Sequence, residues 1–62
     1  MTEIDRILIE CRLLLSLNKN YSELSNILHV NEDIIYDDLN NKLKFFDTKL
    51  YNRVYRVLKE KS

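Results

Sequence analysis

The sequence predicts an all-α fold, a small bundle of four helices that takes up the whole chain, residues 1–62, as one domain. Three observations carry that expectation. The chain has neither Gly nor Pro, the residues that ordinarily punctuate turns, so helices joined by short polar links are the natural outcome. Apolar residues recur at intervals of three and four rather than two. Each periodic stretch also follows a Thr, Asn or Asp, side chains that accept from the free amides of a helix start.

The first helix is expected over about residues 3–17. Ile4, Leu8, Cys11 and Leu15 recur at four, three and four, and Ile7 and Leu14 widen that face. Thr2 is the expected cap, and Glu3 and Asp5 suit the positive end of the helix dipole. Leu13 and Leu17 add apolar surface beyond one stripe, which implies contact with more than one neighbour. Asn18, Lys19 and Asn20 form the link.

Asn20 and Glu23 stand three apart and can cap each other's amides in a capping box, starting a second helix from Tyr21 to about Leu28. Leu24, Ile27 and Leu28 are its inward face, and Ser25 is a small residue where two helices approach. His29 and Val30 make a turn. His29 falls where a left-handed backbone is needed, a conformation His tolerates at a cost on the order of 1 kcal/mol. Asn31 caps a third helix with Glu32 and Asp33 in its first turn. Ile35, Leu39 and Leu43 are its buried row, with Ile34, Tyr36, Asp37 and Asn40 outside it. Two short helices around a tight turn, over about residues 20–43, read as a helix-turn-helix of the homeodomain-like, wingless kind. Lys44 to Phe46 breaks the pattern. Asp47 caps a fourth helix over about residues 48–60, with Phe46 and Tyr51 spaced for a hydrophobic staple and Leu50, Val54, Val57 and Leu58 facing inward.

Charge is distributed unevenly. The formal total is zero, but residues 1–17 carry a net of minus one, residues 18–43 minus three and residues 44–62 plus four. The motif is acidic and the tail basic. No apolar run approaches the roughly 18 residues of a membrane span, and nothing at the start resembles a secretory signal, so a cytoplasmic protein is expected. Cys11, the only cysteine, fits a reducing compartment and reads as a small core residue. No metal-ligand spacing, Gly-rich phosphate loop or nucleophile with a base occurs. Asp37 and Asp38 are neighbours on a helix and diverge by about 100 degrees, whereas acid–base work needs convergence in a cleft. The chain is therefore not read as an enzyme, and no cofactor, metal or small-molecule substrate is expected.

From about Leu15 to Val54 the chain resembles, without gaps, the stage III sporulation protein D family of helix-turn-helix transcriptional regulators. The resemblance rests on the Leu24–Leu28 helix, the turn ending in Val30, Ile35, Asp38-Leu39, Lys42-Leu43, and Leu50 with Val54. It implies a DNA-binding domain whose third helix enters the major groove, assisted by basic residues toward the C-terminus. Carried over position by position, the readers are Glu32, Asp33, Ile34, Tyr36 and Asp37, where the family typically has Lys, Ser, Thr, His and Lys. Ser25 and His29 stand in place of the family's Ala and Gly.

Two functional expectations follow. The first is a DNA-binding transcriptional regulator, weak alone and aided by a homodimer, a protein partner or the basic C-terminal helix. The second is a degenerate helix-turn-helix that has lost DNA binding and uses its acidic third helix as a protein-interaction surface or DNA mimic. The contact set for DNA or partner is Asn31, Glu32, Asp33, Ile34, Tyr36, Asp37 and Asn40. Lys42, Lys44, Lys49, Arg53, Arg56, Lys59 and Lys61 are candidates to neutralise phosphates. A chain this short has little stability to spare, which itself invites a partner.

Overall fold

In the computed structural model, which describes residues 1–61, every helix starts on a side chain that accepts from its free amides. Helix α1 is Glu3–Leu17, capped by Thr2 in a reciprocal box with Asp5. Helix α2 is Tyr21–Leu28, and Asn20 and Glu23 cap each other as their spacing predicts. The chain is then helical from residue 32 to residue 46, here called α3, in three joined stretches. These are an α-helical Glu32–Asp37, a wider π turn Asp38–Lys42, and an α-helical Leu43–Phe46. Helix α4 is Thr48–Lys61, and Asp47 accepts from the Leu50 amide at 3.0 Å to start it. No strand occurs among the described residues.

The two links turn in the same way. Asn18 and His29 both adopt the left-handed conformation, at φ 55° and 56°. In each case the amides at and after this residue close back on carbonyls of the last helical turn. Ser25 completes the second link by donating its hydroxyl to the Val30 carbonyl at 2.6 Å. The residue placed in the motif for its small size is thus also a tie across the turn.

Ile7, Cys11 and Leu14 of α1, Leu24 of α2, Ile35, Leu39 and Leu43 of α3, and Val54 of α4 form one buried cluster. Leu50, Tyr51, Val57 and Leu58 of α4 pack at its margin, with Leu13, Leu15, Tyr21 and Val30. Burying an aliphatic side chain of this kind contributes about 1.5–3 kcal/mol. The expected rows of α3 and α4 therefore lie where periodicity put them.

Three expectations need correction. Helix α1 is turned so that its inner face runs through Ile7, Glu10, Cys11 and Leu14, while Ile4 and Leu8, expected inside, are exposed. The cause is Glu10, a carboxyl drawn into the interior by partners described below. Ile27 of α2 points outward, leaving Leu24 as that helix's one fully buried residue. The third helix does not break at Lys44. With no Gly or Pro to stop it, α3 continues through Phe46 and ends at Asp47, whose backbone is extended.

Candidate functional site

The outer surface of α3 is held in place by a polar cluster on its inner side. Asp38, next to Asp37 in the acidic run of the third helix, is fully buried. It stands three residues after the buried Ile35 and faces α1, where Arg6 grips it with two parallel bonds, Nε to Oδ2 at 2.7 Å and Nη2 to Oδ1 at 2.8 Å. Lys42 lies 3.8 Å from Asp38 and from Asp37, and 2.9 Å from Glu3 of α1. Glu10 completes the group, fully buried, its Oε2 3.6 Å from Arg6 Nε.

Six ionisable groups from α1 and α3 thus meet at one junction, four acids and two bases. One proton halves the imbalance. Burial first, then the hydrogen bond to Asp38 and the Asp38 charge, push the Glu10 carboxyl up to about 9, so it is neutral at pH 7. Neither Glu10 oxygen finds a hydrogen-bond partner among the described residues, which further favours the neutral form of this carboxyl beside Asp38. Burial alone would raise Asp38 too. The bonds from Arg6 and Glu10 and the charges of Arg6 and Lys42 outweigh it and hold Asp38 below the ordinary carboxylate range. Arg6 and Lys42 are pushed up, chiefly by their bonds to Asp38 and Glu3. The cluster fixes how α3 sits on α1, and with it the direction of every residue on the outer face.

On that face Asn31 caps the helix, accepting from the Asp33 amide at 3.0 Å. Glu32 and Asp33 are exposed and form no ion pair among the described residues. Ile34 is 42% exposed and Tyr36 56%. Asp37 is half-buried, accepting from Asn41 at 2.7 Å as well as facing Lys42. The Tyr36 ring leans on Tyr21 of α2 at a centroid distance of 5.7 Å. Asn40 locks this pair, its amide lying 2.9 Å from the Tyr21 hydroxyl and 2.8 Å from the Tyr36 carbonyl. Burial raises the Tyr21 phenol above its ordinary range, and the Asn40 bond partly offsets this. The seven expected contact residues therefore come together on one helix. Tyr36 stands there as a pre-ordered aromatic, which lowers the entropy cost of a contact.

The cations divide into two groups. Arg6, Lys19 and Lys42 are tied to carboxylates of the fold. Lys44, at the end of α3, and Lys49, Arg53 and Arg56 of α4 are exposed and form no ion pair among the described residues. Lys49, Arg53 and Arg56 follow one another at four and three, so they share a face of α4. Tyr55 is exposed beside them and stacks on Tyr51 at 5.9 Å. Lys59 is exposed on the last turns, and the Lys61 side chain lies outside the described residues.

The junction of Arg6, Glu10 and Asp38 is what sequence reasoning missed. Its one signal was Glu10, placed between Ile7 and Leu14 on a helix and four residues from Arg6. Burial holds the Cys11 thiol well above its ordinary range, at about 12, with the neighbouring Glu10 adding to the effect. Such a thiol stays protonated and is a poor nucleophile. Among the described residues no three His, Cys, Asp or Glu side chains are grouped to hold a metal ion. No helix is long and apolar enough to cross a membrane. No protein-family model, curated protein or solved structure matches this chain.

Proposed function

We propose that this protein is a helix-turn-helix DNA-binding regulator that grips the duplex backbone with the cationic side of α4. This is the activity implied by the resemblance to the stage III sporulation protein D family, with the work shifted from the third helix to the fourth. The observation that carries the reading is the set Lys44, Lys49, Arg53 and Arg56, exposed and unpaired while Arg6, Lys19 and Lys42 are neutralised within the fold. Four free cations correspond to a slope of log affinity against log salt of about −3.6, or a loss of roughly a hundredfold between 50 and 200 mM salt. Glu32 and Asp33 subtract from this at the leading end of α3, so affinity is modest. Fluorescence anisotropy on random and AT-rich duplexes tests it. Binding with that slope is expected, weakened by Arg53→Ala with Arg56→Ala and strengthened by Glu32→Lys. Absence of binding at about 50 mM salt, where phosphate contacts count most, overturns the proposal. The reading implies a cytoplasmic protein.

A second reading is favoured by a different observation. Tyr36 is exposed one turn beyond Glu32 and Asp33, which form no ion pair among the described residues, and its ring rests on Tyr21, which Asn40 ties to the Tyr36 carbonyl. A fixed aromatic rimmed by acid suits a basic protein surface, with α3 as an interaction helix or DNA mimic. In this reading Tyr36→Ala abolishes capture of the partner and Arg53→Ala with Arg56→Ala leaves it unchanged.

A further inference from the structure

The rotation of α1 that buries Glu10 turns a second apolar row to the surface. Met1, Ile4, Leu8 and Ile9 are 83, 55, 44 and 37% exposed. Met1, Leu8 and Ile9 line a shallow groove together with Asp5 and Arg12. Asp5 and Arg12 are both exposed, and neither forms an ion pair among the described residues. Elsewhere α1 is covered, for its opposite face packs on α2, α3 and α4. A row of large apolar side chains with one acid at its start and one base at its end remains.

The order of these residues is self-complementary. When two copies of α1 lie antiparallel about a two-fold axis between Leu8 and Ile9, the Leu8 side chains of the two copies meet on one flank of the contact and the Ile9 side chains on the other. The same operation sets Asp5 of each copy opposite Arg12 of the other, since these two lie within about 20° of each other around the helix. A two-fold interface requires this relation, in which residue i meets j and j meets i. A parallel pairing would instead set Asp5 against Asp5 and Arg12 against Arg12. We infer that the exposed face of α1 is a homodimer interface, formed by antiparallel α1 helices whose apolar centre is closed at each end by an Asp5–Arg12 ion pair.

The inference is independent of DNA binding, since α3 and α4 keep their outer faces free. Its strength follows from its size. Four side chains exposed to these fractions supply about half of the roughly 800 Å² per partner of a standard interface, so the dimer is weak and concentration-dependent.

Sedimentation equilibrium on the full chain, from about 10 µM to about 1 mM, spans the range in which such a small interface forms. The weight-average mass is expected to rise from 7.5 kDa towards twice that value. Asp5→Arg, which opposes two arginines, and Arg12→Asp, which opposes two aspartates, each hold the chain at monomer mass. An equimolar mixture of these two variants regains association, because each then offers the charge the other lacks. Circular dichroism confirms that both variants remain helical, and the mixture is informative even if the loss of the Thr2–Asp5 cap lowers the stability of Asp5→Arg. A wild-type chain that stays monomeric at about 1 mM, variants that associate as the wild type does, or a mixture that stays monomeric overturns the inference.

Discussion

Replacing Glu10 by Gln should change how stability depends on pH while leaving the fold intact. The Glu10 carboxyl is raised from 4.5 to about 9 by burial first and Asp38 second. Between pH 5 and pH 8 the folded protein therefore keeps a proton that the unfolded chain releases. Unfolding then becomes easier by about 1.4 kcal/mol per pH unit, to a ceiling of about 4 kcal/mol over the interval. A domain of this size has roughly 3–9 kcal/mol in all, so the loss is a large share of the total. Asp38 acts with the opposite sign. Its folded pKa is lowered from 3.8, so its contribution is present above that value and lost as pH falls through the folded one. These two groups alone set the stability maximum near pH 4, with a long decline on the alkaline side. The amide introduced by Glu10→Gln keeps a donor for Asp38 and does not titrate. Urea unfolding followed by circular dichroism at pH 5, 6, 7 and 8 should give a falling free energy for the wild type and a flat one for Glu10→Gln. The two should converge near pH 5 and separate by several kcal/mol at pH 8. Parallel curves for the two proteins would mean that Glu10 is ionised in the fold, and the account of the cluster would be wrong.

Four further outcomes are expected. Asp38→Ala strands the Arg6 guanidinium and should cost about 3 kcal/mol at pH 7 by urea unfolding, at the low end for a buried pair because Arg6 is partly exposed. Arg6→Met with Asp38→Leu should instead lie within about 1 kcal/mol of the wild type, since a well-packed apolar pair replaces a buried ion pair at little cost. His29→Gly removes a side chain from a left-handed position and should raise stability by about 0.5–1 kcal/mol in a thermal melt. Ser25→Ala loses the 2.6 Å bond to the Val30 carbonyl and should cost about 1 kcal/mol net of the better helix propensity of Ala.

What could be read from residues alone follows the reach of each interaction. Caps are local: Thr2, Asn20, Asn31 and Asp47 act on amides within three residues, and all four stand at helix starts as expected. The row Ile35, Leu39, Leu43 is set by period and lies fully buried. Helix α1 defeated the same reasoning because a periodicity count treats Glu as a surface residue. Glu10 enters the core only because Arg6 and Asp38, the latter 28 positions further on, make a site for it. The burial of Asp38 was not legible for the matching reason, since its partner Arg6 lies on another helix. The outward residues Ile34 and Tyr36 were legible as exposed. Asn40 was legible as lying off the buried row, but its bridge between Tyr21 and Tyr36 depends on α2 packing against α3.

The π turn also sets the phase between the two halves of the chain. At Asp38–Lys42 the ladder is spaced by five, with the Leu43 amide bonded to the Asp38 carbonyl. The helix thereby absorbs one residue more than an α-helix would over that turn. Each residue of an α-helix is worth about 100° of rotation. Deleting one residue here would let an ordinary α-turn span the same gap and leave everything from Leu43 onward in phase, whereas adding a further one would turn it by about that angle relative to the acidic face ahead of it. The five-residue turn is thus a fixed spacer that decides which side of the molecule carries the cations and which the acids.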